Sequence, residues 1–533
     1  MRFRAAETAM LDGDRLPDGR YHWPDKPVAP ADSATKFGAS RTGALKAATL
    51  GGVLLLAFAV RLVPVLFHPS FNAADEVFQS LEQAHRLVYG TGLVPWEFQL
   101  GIRSWLLPGA IAALMEVARL FGTGPAYYLP VIYGACGCLA VVPVLCCFLW
   151  CRRWFGFPAA IVGSLCVAFA PELVLMGDRT LSEVVAAHVL VVGLYLVDPG
   201  YRTDSRARLF WAGAALMLAF VLRVQLAPAV ALIGLWAAWR LRRECLPGVA
   251  GAGAVFACAA LLDTFTLGSP AASIWRYILC NLYYGVSSTF GTEPWYFYAL
   301  FELAIWGSGL CILINLAILG TGRTWLPLAA ALAILAAHSA IGHKEYRFIY
   351  PAVVLLSVQA GIGLALATDY VGRKLAALGP RGKLAGSAVP GLAALLWCAL
   401  SLSTWERPLL VKLRGVGHDD ILAASYLARD PSVCGIGIYG HDAWSWYGGY
   451  SYLNRPVPMY RKETERQLWT SPEAFNVILY SIAPKIIRPV LPPGFATARC
   501  FGEACIARRP GTCIPEPMPP LPYPEPLASF ARR

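Results

Sequence analysis

The sequence predicts an all-α polytopic membrane protein of about eleven transmembrane helices, with a large first external loop and a small C-terminal α/β external domain. Three observations carry this expectation. Hydrophobic residues make up 57% of the chain and charged residues 15%, against roughly 45–50% and 25% in soluble domains. Mean hydropathy is +0.52. Long apolar runs recur from Leu45 to Thr404 and then stop. The formal net charge of +12 does not point to nucleic acid, because Lys and Arg sit mostly in short segments between apolar runs, where they act as topology signals.

In chain order, residues 1–44 are polar and mixed in charge, with several Pro and Gly. They read as a disordered cytoplasmic tail with no signal peptide. Residues 45–404 form the transmembrane part. A crossing helix needs about 20 apolar residues, fewer when buried in a bundle. That ruler places helices near 47–67, 127–150, 155–176, 181–198, 208–223, 226–240, 248–264, 295–319, 325–341, 347–369 and 385–403. The run from Trp105 to Phe121 contains Pro108, Glu116 and Arg119, which favours a helix lying along the interface. With the tail inside, alternate connections hold Arg152 and Arg153; Arg202, Arg206 and Arg208; Arg240, Arg242 and Arg243; Arg323; and Arg373, Lys374, Arg381 and Lys383. This is the positive-inside pattern, and a crossing by the Trp105 run would break it.

The remaining connections face outward and differ in kind. They are the first external loop at 68–126, GDRTLSE at 177–183, LRVQ at 222–225, residues 263–294, and HKEYR at 343–347. The first loop groups Asp75, Glu76, Glu82, Glu97 and Arg103 beside a membrane, where charge has a use only if something polar is handled. One of the adjacent carboxylates Asp75 and Glu76 could serve as general base for an attacking hydroxyl. The bland alternative is an acidic helix start that favours the helix dipole, with Val77, Leu81 and Leu87 as its apolar face. Arg179, Arg223, Lys344 and Arg347 lie at outer helix ends, suited to clamp a phosphate or, singly, to snorkel or pair with acids. In HKEYRFIYP, ionisable residues stand between two spanning helices, and such residues mark function by default. Their alternative is a tight turn whose charges pair among themselves. His343 has no second ligand at metal spacing in this segment, so no metal site is expected. Asp263, Asn281 and the aromatic run EPWYFY complete the outer surface.

After Thr404 about 130 residues lack the oily character. Residues 405–513 are expected to form a small external α/β domain, with a helix over Asp419–Asp430 and strands over Val433–Gly440 and Phe475–Ser481. This region holds Cys434, Cys500, Cys505 and Cys513, and the chain's other eleven cysteines lie in or beside apolar runs. An even number fits an oxidising exterior, and Cys500 and Cys505 flank a turn, FGEA, that could join them. The pairing is not readable, and four reduced thiols are the alternative. Residues 514–533 form a Pro-rich extended tail.

These blocks carry a family resemblance. DEVFQSLEQAH, then WEF, then IRSWLLP look like the first external loop of the family 22 glycosyltransferases, usually close to PDE-(Y/V)-(W/F)-Q-SLE-x-AH, TWEW and (L/I)RSY-x-x-P. RTLSE resembles the family's RTLSN, and LRVQLAP its VRPTA segment. DTFTLG followed by NLYYGVSSTFGTEPWYFY resembles D-S-x-x-Y-G followed by N-V-x-x-G-x-S-x-x-Y-G-x-HPWHWY. HKEYRFIYP is similar to HKE-(E/D)-RF-(L/I)-x-P, the most specific block. The series is colinear over residues 61–370.

The resemblance implies a GT-C membrane fold and an inverting transfer of a sugar, mannose in this family, from a polyprenyl-phosphate donor. The acceptor would be a hydroxyl on a glycan or glycolipid at the external face. It places the general base at Asp75, with Glu76 as support. Physical inference adds donor-phosphate contacts for Arg179, Lys344 and Arg347, and places His343 and Glu345 in the same site. Glu97, Arg103, Arg223, Asp263 and Asn281 are further donor or acceptor contacts. The leaving group is already a phosphate, so no divalent metal or other cofactor is required.

The chain departs from the family pattern in three places. HPSFNAADE carries extra residues before the acid, Glu293 and Tyr296 replace the His residues of HPWHWY, and Glu183 stands where Asn is usual. These bear on head-group recognition, so transfer of another sugar or oligosaccharide is the nearest alternative. A polyprenyl-glycan flippase is a further one, but it would distribute polar residues through the spans. The basic inside loops resemble bacterial inner-membrane chains, which would make the external side periplasmic. The alternative is an endoplasmic-reticulum membrane with a luminal site.

Overall fold

A computed structural model describes residues 41–198, 205–439, 448–462, 464–482, 488–517 and 527. Most of the expected N-terminal and Pro-rich tails, and Arg202 of the basic clusters, fall outside these residues. Residues 41–44 of the expected disordered tail are instead the start of helix Arg41–Phe67. The chain divides after Thr49, and Leu50–Arg533 form one compact unit that holds every feature of the site.

The apolar runs are helical where expected, but their lengths differ. Gly43–Phe67, Pro125–Phe155, Val224–Leu267, Tyr346–Ala376 and Pro380–Thr404 are long and apolar enough to cross a bilayer. The pair Phe297–Trp306 and Gly309–Gly320, bent by 107° at its break, would make a sixth span. Phe157–Ala168, Ser182–Val197 and Leu326–Ala340 are shorter. By length and composition, five helices among the described residues, or six with the bent pair, are long enough to cross by themselves, which leaves the expected count of eleven unconfirmed. The stretch Val224–Leu267 is itself interrupted at Arg242, where φ is 49°, inside the basic Arg240–Arg243 group. Leu106–Ala118, the doubtful run, has 13 residues, about 20 Å at 1.5 Å per residue and too short to cross.

Helix Tyr350–Ala376 is the centre of the bundle, buried through most of its first four turns. It packs on Gly309–Gly320, Pro380–Thr404, Phe157–Ala168, Leu326–Ala340, Ser182–Val197 and Val142–Phe155. Small residues set the closest approaches between helices, as expected in a membrane bundle. A methyl at Gly213 of helix Arg206–Leu222 would run into the Gly248 carbonyl of helix Leu246–Leu267. Arg61, fully buried, donates to the carbonyls of Ala57, Val167 and Ala168, which explains a charge inside an apolar helix.

The C-terminal region builds a five-stranded sheet from β1 (Ile436–Tyr439), β2 (Met459–Lys462), β3 (Val477–Ser481), β4 (Ala496–Phe501) and β5 (Ala504–Arg508), in the order β2-β1-β3-β5-β4. β1 runs parallel to β2 and β3, while β5 is antiparallel to β3 and β4. The expected helix is present as His418–Ala428, and the two expected strands as β1 and β3. Cys500 lies opposite Cys505 across the β4–β5 hairpin and is bonded to it, and Cys434 is bonded to Cys513.

This sheet shares a hydrophobic layer with the first loop. Ile436, Ile438 and Met459 pack with Phe71, Val77, Phe78 and Leu81. Glu82, fully buried, fastens the two together. Its carboxylate accepts from the backbone N–H groups of Leu93 at 2.9 Å, Tyr450 at 3.0 Å and Ser451 at 2.9 Å, and from Ser451 Oγ at 3.0 Å. Burial pushes the Glu82 carboxyl above its ordinary range, opposed by these donors. Gly449 has φ +61°, and any side chain there would meet the Glu82 carboxylate. His85 adds a 2.9 Å contact from Nε2 to Asn454 Oδ1.

Candidate active site

The loop DEVFQSLEQAH is one helical stretch that changes winding. Ala74–Glu76 is α-helical, Val77–Leu81 widens into a π turn, and Glu82–Tyr89 resumes the α-helix. Such π turns are frequent at functional sites. Asp75 and Glu76 stand in its first turn and point different ways. Asp75 is partly exposed at a cavity wall, whereas Glu76 has no exposed surface.

The cavity has a volume of about 790 Å³. Asp75, Glu97, Arg103, Arg223, Asn281, His343, Lys344, Glu345 and Arg347 all line it, so the outer loops expected to share a face do converge. The rest of its wall is largely apolar, including Phe78, Trp96, Ile102, Pro228, Ile278, Leu282, Phe290, Ile341 and Phe348. A second cavity of about 50 Å³ lies alongside, lined by Ser104, Ser182, Glu183, Gln225 and Ser273 among others. Asp75, Gln79, Arg103, Arg223 and Tyr277 belong to both walls.

Around Asp75 the charges balance. Arg347 Nη2 lies 2.6 Å from Asp75 Oδ2, Arg347 Nε lies 2.7 Å from Glu345 Oε2, and Arg347 Nη1 lies 3.5 Å from Glu183 Oε1. Arg223 Nη2 pairs with the same Glu183 oxygen at 2.9 Å. Phe348 lies beneath both guanidinium groups, with ring distances of 5.3 Å and 5.2 Å. His343 donates from Nδ1 to the Gly291 carbonyl at 2.9 Å and from Nε2 to Glu345 Oε1 at 3.2 Å. Two acceptors require two N–H donors, so the ring is an imidazolium. The hydrogen bond to Glu345 accordingly raises the His343 pKa. Burial pushes Glu345 upward, but Arg347 and His343 together outweigh it and hold the carboxyl well below its ordinary range. Three carboxylates thus face three cations.

Arg103 is different. Among the described residues it has no ion pair within 4 Å; its guanidinium rests 5.5 Å from the Tyr277 ring. Its charge acts on Glu183 and on Glu97, whose Oε1 accepts from Gln79 Nε2 at 2.8 Å. Burial, and then the charge of Asp75, push the Glu97 carboxyl up to about 7 against the pull of Arg103.

Three expected site residues stand elsewhere. Glu76 Oε1 lies 3.6 Å from Arg179 Nη1, and its Oε2 accepts from the Asn72 N–H at 3.1 Å. Burial raises the Glu76 pKa, opposed first by Arg179. Arg179, 3% exposed, also donates to the carbonyls of Leu175 and Ser70 and, at 2.9 Å, to Ser70 Oγ. It lines neither cavity, so the donor-phosphate contact expected of it is replaced by a loop-to-helix tie. Asp263 accepts at Oδ2 from the Ser273 N–H at 2.9 Å and Oγ at 2.7 Å, and also lies outside the cavity walls. Two others line the larger cavity with their donors engaged. Lys344 Nζ donates to the carbonyls of Ile341, Gly342 and Glu293, so it braces the turn where a phosphate contact was expected. Asn281 donates to the Tyr277 carbonyl at 3.1 Å.

The sequence reading left Gln79, Tyr277, Phe348 and Arg461 unassigned, and it treated Glu183 only as a departure from the family pattern. An acid at an outer helix end among three arginines was the available signal for Glu183. No local signal marks Arg461, which arrives from β2. Glu293 lines the larger cavity; Tyr296 does not. Among the described residues no group of three or more His, Cys, Asp or Glu side chains is placed to hold a metal ion.

GPI mannosyltransferase 3 of Yarrowia lipolytica is 29% identical over 325 residues, 58% of this chain and 61% of that protein. GPI mannosyltransferase 3 of Drosophila melanogaster is 28% identical over 327 residues, 57% of this chain and 54% of that protein. The matched region thus spans somewhat over half the length of these relatives. Among solved structures, ArnT from Cupriavidus metallidurans bound to undecaprenyl phosphate aligns with a TM-score of 0.55 at 14% identity, covering 90% of this chain and 100% of that one. The likeness shows a shared GT-C fold, and with its long apolar helices the chain is an integral membrane protein. Residues 52–401 match the Alg9-like mannosyltransferase family, and the chain belongs to it.

Proposed function

We propose that the chain is an inverting mannosyltransferase that moves mannose from a polyprenyl-phosphate donor to a hydroxyl of a lipid-linked or protein-linked glycan, at the external membrane face. The observation that carries this reading is the position of Asp75, at the wall shared by a large, mostly apolar cavity and a small one of mixed lining, with Arg103 in the same shared wall. Exposed Leu282 and Phe290 belong to the apolar wall, which supports entry of a prenyl chain from the lipid side. Family membership and the names of the relatives support mannose, and the positive-inside pattern supports the external face. The resemblance of the basic inside loops to bacterial inner-membrane chains favours the periplasm as that side.

In the proposed reaction the acceptor O–H gives its proton to the Asp75 carboxylate as the oxygen attacks the anomeric carbon. The bond from that carbon to the phosphate oxygen breaks, and the electron pair leaves with the polyprenyl phosphate. The configuration at the carbon inverts. Arg347 holds Asp75 in place through Oδ2. Arg103 stabilises the departing phosphate as a preorganised cation in the cavity wall. Phosphate contact is thereby reassigned from Arg179 and Lys344 to Arg103. No divalent metal enters this scheme. Glu76 keeps a supporting role by holding the loop against Arg179.

Membranes carrying the chain, supplied with radiolabelled polyprenyl-phosphate mannose, are expected to pass label into a glycolipid or glycoprotein fraction. Label that moves only from a different polyprenyl sugar would correct the donor, and no transfer from any would refute the reading.

A further inference from the structure

β2 is an edge strand, hydrogen-bonded on one side to β1. Side chains along a strand alternate between faces. Tyr460 turns into the cluster it shares with Tyr439 and Phe475, whereas Met459 turns the other way, into the layer it shares with Phe78 of the first loop. Arg461 lies on the Met459 face one step further along. It emerges where that layer ends, partly exposed in the wall of the larger cavity, which Phe78, Asp75 and Arg103 also line. The guanidinium thus reaches the site from the C-terminal sheet, far along the chain from every other cation there.

Its chemistry suits one class of ligand. A planar fork of donors matches phosphate oxygens. We propose that Arg461 is a substrate-contacting residue that binds a phosphate group in this cavity, so that the C-terminal sheet takes part in selecting the substrate. The proposal rests on the mannosyl-transfer reading above. The phosphate belongs either to the polyprenyl donor or to a phosphate-bearing glycolipid acceptor, and one guanidinium serves either.

The test uses the purified full chain in detergent, as wild type, Arg461→Lys, Arg461→Gln and Arg461→Ala. Binding of polyprenyl-phosphate mannose and of a mannosylated phosphatidylinositol is measured separately, with the Tm of each variant. Loss of a charge-assisted hydrogen bond weakens one of these by about tenfold or more, with partial recovery in Arg461→Lys and an unchanged Tm in Arg461→Gln. Loss in the first arm assigns the donor phosphate, and loss in the second the acceptor phosphate. Equal binding of both lipids by wild type and Arg461→Gln overturns the proposal, as does an equal loss for an uncharged alkyl mannoside. A wild-type chain that binds these lipids but transfers no mannose would instead tell against the reaction, leaving the binding comparison standing.

Discussion

Asp75 and Glu76 are adjacent acids, each paired with an arginine, and they do different things. Asp75 meets Arg347 at 2.6 Å at the wall of two cavities, and Glu76 meets Arg179 at 3.6 Å with no surface exposed. Successive residues of a helix point about 100° apart, so one turn of loop helix can serve the site with one carboxylate and the core with the next. Arg347 also binds Glu345 and Glu183, which keeps its charge compensated while one oxygen of Asp75 is held. Arg179 is compensated by Glu76 and donates also to Ser70 and the Leu175 carbonyl. A carboxylate–arginine pair is therefore a candidate for chemistry only where a cavity reaches it.

The contrast can be broken most sharply at Asp75. Asp75→Asn keeps the shape but removes the base, and transfer is expected to fall about 10²–10⁴-fold with the Tm nearly unchanged. Full transfer by this variant would end the assignment. Glu76→Ala should behave the opposite way, leaving Arg179 buried without its acid. That costs about 3–5 kcal/mol of stability, read as a lower Tm in detergent, while the transfer rate per folded molecule stays close to wild type. A large rate loss at an unchanged Tm would move Glu76 back into the chemistry.

The smallest effect sharpens the comparison through a third acid. Glu97 has a folded-state pKa of about 7, raised above its unfolded value near 4.3. The folded state therefore holds the proton more tightly. Its contribution to stability is complete below about pH 4 and is lost as pH rises through 7. Glu97→Gln, which stays neutral, should be no more stable than wild type at pH 4 and gain relative to it towards pH 8. A Tm difference independent of pH would show that Glu97 is ionised throughout.

Much of the fold was legible because apolar runs and basic clusters are local signals. The run at 248–264 is the core of helix Leu246–Leu267, and the break after Leu241 falls among the arginines that marked a connection. Crossing number was less legible, since helices such as Phe157–Ala168 are covered by neighbours and need not match bilayer thickness. In the site, HKEYR and the first-loop acids were legible as blocks, and nine of their residues and neighbours do meet at one cavity. Arg179 misled because a cation at an outer helix end looks the same whether it faces a ligand or a buried glutamate.

The sequence by itself determined the class of protein, its family and which loops carry polar chemistry, because hydrophobic periodicity and short colinear blocks are properties of neighbouring residues. Only the tertiary structure decided the roles within those loops. It turned Glu76 inward and Asp75 outward, tied up Lys344 on three carbonyls, left Arg103 without an ion pair among the described residues, and brought Arg461 from an edge strand to the cavity. The physical reason is that the worth of a charge depends on burial and on partners distant in the chain, which no local pattern of residues records.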